Sequence, residues 1–101
     1  MTIKQCAKAF AEGRAAHCHN ARVTPKPDGS VEYRLHGNLI AKNDGDGWVE
    51  CFWCGWYGPT TANHLNKILA AIGAETRVSY AKARDDGTTM FQVGAELEEV
   101  V

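Results

Sequence analysis

No apolar run in this chain of 101 residues approaches the roughly 18 needed for a membrane span, and the amino terminus MTIKQCAKAF carries no hydrophobic leader. A cytosolic setting is expected, with no membrane partner. Charge of one sign is also missing: 11 Lys and Arg meet 12 Asp and Glu, a net charge of -1, so no global field draws the chain to nucleic acid or to an anionic surface. There is no internal repeat and no low-complexity stretch. Proline occurs only three times. A second Cys-x-x-Cys is absent as well, which removes the usual four-thiolate zinc framework.

With 45% hydrophobic and 23% charged residues, the composition suits one globular domain, residues 1–101, with a core just large enough to fold unaided. Charge is unevenly spread. Up to Lys42 there are seven Lys and Arg against three Asp and Glu (+4), and beyond it four against nine (-5). One region is therefore basic and the other acidic, either as solvated faces or as a basic side that meets an acidic partner.

Apolar residues at Ile3, Cys6, Ala7 and Phe10 predict an amphipathic helix from about Thr2, weakened at Gly13. Residues 15–30 read as irregular, because Pro25, Pro27 and an Asp28-Gly29 turn crowd together. Alternation at Val31, Tyr33 and Leu35 predicts a strand that breaks or bulges at residues 36–38, and Leu39-Ile40-Ala41 resumes it. A turn over residues 43–47 returns the chain along residues 48–54. Pro59-Thr60-Thr61 signals a helix start with a threonine cap, continued by Leu65, Ile68, Leu69 and Ile72 and ended by Gly73. Val78 and Tyr80, then Asp85-Asp86-Gly87, then Met90, Phe91 and Val93 read as a second hairpin, and residues 96–101 as a fraying tail. The expected fold is α+β: a small antiparallel sheet of four to five strands packed against two helices, in the order α-β-β-β-α-β-β.

The chemistry concentrates in residues 48–66, WVECFWCGWYGPTTANHLN. Cys51-Phe52-Trp53-Cys54-Gly55 has the form of a zinc knuckle, but zinc needs two further ligands from Cys6, His17-Cys18-His19, His36 or His64. Along an extended strand, Cys51 and Cys54 face opposite sides about 10 Å apart. The preferred reading is no metal and no cofactor, with free thiols; the alternative is a zinc-stabilised module using Cys18, Cys51, Cys54 and His17. A redox dithiol fails because the helix starts only after Pro59. Cys18 has flanking histidines but no acid to orient them, so catalysis is not expected. Strand alternation puts Trp48, Phe52 and Cys54 with Glu50 on one face, and Val49, Cys51 and Trp53 on the other. One of these sets packs on the helices and the other meets water or a partner.

Tyr33-Arg34-Leu35-His36-Gly37-Asn38-Leu39-Ile40-Ala41, then Gly55-Trp56, Pro59-Thr60-Thr61 and Leu65-Asn66, resemble a loose group of small phage and prophage proteins with an LHGN-x-IA, GW, TT, LN pattern. The resemblance spans residues 33–69. It brings no enzymatic activity; it implies an accessory protein in the host cytoplasm that binds and blocks a host protein, such as a CRISPR or other defence component. The cysteines lie outside the pattern, and His64 stands where arginine is common. The residues expected to meet the partner are Trp53, Trp56, Tyr57, Arg34 and His36. A second reading is a small nucleic-acid-binding module in which the aromatics act with Arg14, Arg22, Lys26, Arg34 and Lys42. The expected oligomeric state is a monomer or a homodimer.

Overall fold

The computed structural model describes residues 1–94. The chain runs α1 (Ile3–Glu12), β1 (Ala16–Cys18), β2 (Ala21–Pro25), β3 (Val31–Leu35), β4 (Asn38–Asn43), β5 (Trp48–Phe52), α2 (Pro59–Ala71), α3 (Tyr80–Asp86) and β6 (Met90–Gly94). All six strands join one antiparallel sheet in chain order. The α+β class is as expected; among the described residues the sheet has six strands instead of four to five, and there are three helices instead of two. The expected fraying of residues 96–101 lies outside the described residues.

Helix α1 begins where the sequence signals it. Thr2 Oγ1 accepts from the Gln5 backbone N–H at 3.1 Å and Gln5 Oε1 from that of Thr2 at 2.8 Å, a reciprocal cap; Gly13, at φ 75°, ends the helix. Cys6, Ala7, Ala9 and Phe10 are buried. Phe10 meets the Tyr33 ring edge-on, with centroids 5.9 Å apart.

The segment read as irregular holds a hairpin. Ala21 and Val23 face the core while Arg22 is exposed, and β2 pairs with β3 through Ala21↔Leu35 and Val23↔Tyr33. Pro25 ends β2 instead of interrupting it. The turn beyond is closed by Asp28 Oδ1, which accepts from the Ser30 N–H at 2.9 Å and from its hydroxyl at 2.6 Å.

His36 and Gly37, at φ 52° and 80°, form a two-residue turn joining β3 to β4, both residues left-handed as such a turn requires. The bulge lies further on: Tyr33 pairs with Ala41 but Arg34 with Leu39, so Ile40 is the extra residue. Ile40 and Ala41 are consequently both buried. The return over residues 44–47 is as expected, with Asn43 Oδ1 accepting from the Gly45 N–H and Asp46 Oδ1 from that of Trp48.

Two other expectations are corrected. Gly58, extended at φ -144°, occupies the cap position of α2 and Pro59 the first turn, so Thr60 and Thr61 lie inside the helix instead of capping it. Proline's fixed φ suits that first position. Residues 80–86 form α3 and not a strand: the Ser79 hydroxyl accepts from the Lys82 N–H, and Asp85-Asp86-Gly87 is the helix end, with Gly87 at φ 71°. The strand β6 therefore pairs with β5, through Val49↔Val93 and Cys51↔Phe91. The buried side chains form one continuous core, in which Tyr33, Trp53, Ile40, Leu65, Ile68 and Leu69 are the largest components beside Phe10. The other sheet face carries His17, Arg22, Glu32, Arg34, Lys42, Glu50 and the half-exposed Trp48.

Candidate functional site

Antiparallel pairing of β4 with β5 returns the chain to the level of the β3–β4 turn. Trp53 continues the inward parity of Val49 and Cys51 and is fully buried; its backbone N–H donates to Thr89 O at 3.0 Å. Cys54 and Gly55 are left-handed, at φ 54° and 78°, and reverse the chain. The Trp56 N–H then donates to Trp53 O at 2.9 Å and the Gly58 N–H to Trp56 O at 3.0 Å. This tight turn lifts Trp56 outward, leaving it 63% exposed. Tyr57 folds back onto Trp53, with rings stacked at 5.5 Å, and its hydroxyl donates to Thr88 O at 2.7 Å. The Cys54 thiol, on the surface, donates to Leu39 O at 3.1 Å and ties the turn to β4.

Between this turn and the β3–β4 hairpin lies a cleft of about 770 Å³. Leu35, His36, Asn38 and Ile40 form one wall, Gly55, Trp56 and Tyr57 another, and Pro59, Thr60 and Thr61 the third. Three of the short segments singled out in the sequence thus meet at one place, although Ile40 in the first lies fifteen positions before Gly55 in the second. Among the described residues no Asp, Glu, Lys or Arg lines the cleft. The first turn of α2, the positive end of that helix, contributes to its lining. Gly58 offers no side chain to that end, Pro59 has no N–H, and the Thr60 and Thr61 N–H groups precede the first intrahelical donor, the Ala62 N–H, which bonds Gly58 O at 3.1 Å.

Beneath the cleft, His64 Nδ1 lies 2.6 Å from the Tyr33 hydroxyl, and the rings meet edge-on at 5.7 Å. Burial, with smaller contributions from His36 and His19, holds the His64 imidazole below its ordinary value. Sequence reasoning missed this pair. The signal was the apolar stripe of α2, where position 64 falls four residues before Ile68. Asn66 clamps the chain beyond α2: its Oδ1 accepts from the Val78 N–H at 2.7 Å and its Nδ2 donates to Val78 O at 3.0 Å.

The expected partner residues are divided by the fold. His36, Trp56 and Tyr57 share the cleft. Trp53 is enclosed in the core, because its parity follows the helix-covered face, and offers no contact surface. Arg34 lies on the open face of the sheet, bonded to Glu32 at 3.1 Å and to Gly37 O. Of the five cations of the nucleic-acid reading, four are near carboxylates: Arg14 at 2.6 Å from Glu12, Lys26 and Arg34 at 3.9 and 3.1 Å from Glu32, and Lys42 at 3.6 Å from Asp44. Such neighbours reduce the positive potential available to a phosphate chain.

The alternative zinc ligands are not brought together. Cys18 is buried and His17 points to the opposite face of β1; Cys51 is buried under the helices, and Cys54 is outside on Leu39. Among the described residues no group of three or more His, Cys, Asp or Glu is placed to hold one ion. Burial raises the Cys51 thiol to about 12, and burial with Cys18 alongside raises Cys6 to about 11. Among the described residues no helix is long and apolar enough to cross a membrane.

A family model described as Kyanoviridae Gp96 protein matches residues 2–95, and the chain belongs to that family of phage proteins. No curated protein and no solved structure matches it.

Proposed function

We propose that this phage protein is a non-catalytic accessory factor that binds and inhibits a host protein, with the cleft beside Trp56 as its contact surface. The observation carrying this reading is Trp56 itself, 63% exposed on the rim of a concave, uncharged wall. A tryptophan held in water by a rigid turn gains free energy when a partner covers it, and such rings are frequent anchors of interfaces. His36 adds a donor and acceptor at the hairpin tip, and Tyr57, stacked on Trp53, holds the Trp56 wall of the cleft in place. Among the described residues the lining has an imidazole but neither a carboxylate nor a thiol to act with it, which favours binding over catalysis. The resemblance implies a CRISPR or other defence component of the host cytoplasm as the target.

The test is quantitative capture from host lysate by the tagged full chain and by Trp56→Ala. The wild type is expected to enrich one host protein reproducibly, and the variant to lose at least about tenfold of it while melting at the same temperature. Equal capture by both proteins contradicts the reading, and so does no enrichment over an unloaded matrix.

A further inference from the structure

We infer that two copies of this chain join through the outer edge of β6, antiparallel about a two-fold axis at Gln92, to make one continuous sheet. This goes beyond the cleft reading, since no residue of β6 lines the cleft.

The ladders fix which backbone groups of β6 are free. The Asp44 N–H bonds Trp48 O at 3.4 Å, and the Trp53 N–H bonds Thr89 O at 3.0 Å. Hydrogen-bonded pairs alternate along an antiparallel ladder, so with these registers Trp48 and Glu50 turn their N–H and C=O toward β4, and Val49, Cys51 and Trp53 toward β6. In β6, Phe91 and Val93 therefore face β5, while Met90, Gln92 and Gly94 present their N–H and C=O to the outside. The strand is last in the sheet, and those outward groups have no partner among the described residues.

Edge strands are ordinarily blunted by charge, by proline, by a bulge or by being very short. The other edge, β1, has only three residues. Strand β6 has five, Met90-Phe91-Gln92-Val93-Gly94, with no charged residue and no proline, and its register on β5 runs without a shift. It has none of the features that keep an edge single.

The strand also complements itself. About an axis at Gln92, that residue meets its own counterpart and Met90 meets Gly94 of the second copy, so each outward N–H finds an outward C=O. On the helix side Phe91 falls opposite Val93 of the second copy. Both are only half-buried in the single chain, and an aromatic ring against a β-branched side chain is a favourable cross-strand pair. On the open face Trp48 and Met90 are 51% and 41% exposed. A Cβ on Gly94 would stand 3.9 Å from the Trp48 ring, so the indole lies beside a residue with no side chain. Met90 of the second copy arrives on the far side of Gly94, which sets a thioether next to that indole. The residue on the axis is the neutral Gln92, bonded to Glu50 at 3.1 Å, so no charge meets its like there.

The experiment joins sedimentation velocity of the full chain, from about 1 µM to about 1 mM, with amide exchange read residue by residue at both ends of that range. The mass is expected to rise from that of one chain to that of two. With it, the Met90, Gln92 and Gly94 amides should exchange at least about tenfold more slowly, whereas Phe91 and Val93 are already protected in the single chain. Gln92→Pro removes an N–H that bonds nothing within the chain and sets its ring against the incoming strand; it should raise the dissociation constant at least about tenfold. Gln92→Thr loses the same Glu50 contact but keeps the N–H, and should pair as the wild type does. The mass of one chain throughout, an undiminished dimer in Gln92→Pro, or loss of the dimer in Gln92→Thr would each overturn the inference. So would a dimer in which the three outward amides exchange as they do in the single chain. Protection of those amides that does not change with concentration would overturn it too, since residues 95–101 of the same chain would then be covering the edge.

Discussion

Removing the amide of Asn66 should loosen the whole carboxyl-terminal third of the described chain. Its two hydrogen bonds to Val78, at 2.7 and 3.0 Å, join α2 to the segment that leads into α3, and Thr88 beyond α3 accepts from the hydroxyl of Tyr57, a residue of the cleft wall. In Asn66→Ala the Val78 N–H and C=O lose their partners in a half-buried site that water reaches only in part. Two bonds at about 1 kcal/mol each give a loss of about 2 kcal/mol. For a chain of this size that lowers the melting midpoint by roughly 8–16 °C. Calorimetry and urea unfolding should agree on the loss if the transition is two-state. Asn66→Asp sharpens the test. At neutral pH it keeps the acceptor for the Val78 N–H but sets a second anionic oxygen against the Val78 carbonyl; once protonated, the carboxyl can donate again. Relative to wild type, the aspartate variant should therefore recover stability on acidification, and the alanine variant should not. A loss below about 0.5 kcal/mol in Asn66→Ala, the level of an ordinary surface change, would refute the clamp.

Tyr33→Phe leaves His64 Nδ1 buried without its partner at 2.6 Å and should cost about 1–3 kcal/mol in urea unfolding. Because the folded state holds the His64 proton less tightly than the unfolded chain, the stability from its neutral form is complete above the ordinary imidazole value of about 6.5 and is lost as pH falls below it toward the lower folded value. The wild type should thus lose more stability between neutral and mildly acidic pH than His64→Gln does; equal pH profiles would contradict this. Ellman's reagent should modify Cys54 alone in the folded protein and all four thiols after unfolding, since Cys6, Cys18 and Cys51 are buried. A second rapidly reacting thiol in the folded chain would show that the α1 or α2 cover opens readily.

Part of the site was legible in the sequence, and the missing parts share a cause. The parity Val49, Cys51, Trp53 was readable, but which side the helices would cover was not, so Trp53 was expected at an interface and is in the core. The tight turn through Cys54 and Gly55 was marked by its glycine; that it would expose Trp56 while returning Tyr57 inward depends on where Trp53 is anchored. The β1–β2 hairpin escaped notice because its inward residues are small, Ala16, Ala21 and Val23, and the nearby prolines carry a stronger local signal than two alanines. Val78 read as strand because its β-branched side chain is all that its neighbourhood displays, whereas its backbone is engaged by an amide twelve residues away.

By itself the sequence determined the α+β class, α1 with its Thr2 cap and Gly13 stop, the body of α2, and the hairpin through residues 43–47. Periodicity, capping and turn chemistry act over a few residues and are written where they operate. The tertiary structure alone decided which sheet face is covered, the Tyr33–His64 and Asn66–Val78 bonds, and the meeting of residues 35–40 with residues 55–61 around one cleft. Each of these depends on strand register and helix docking between distant segments, which are set by the sum of many contacts across the core and not by any local run of residues.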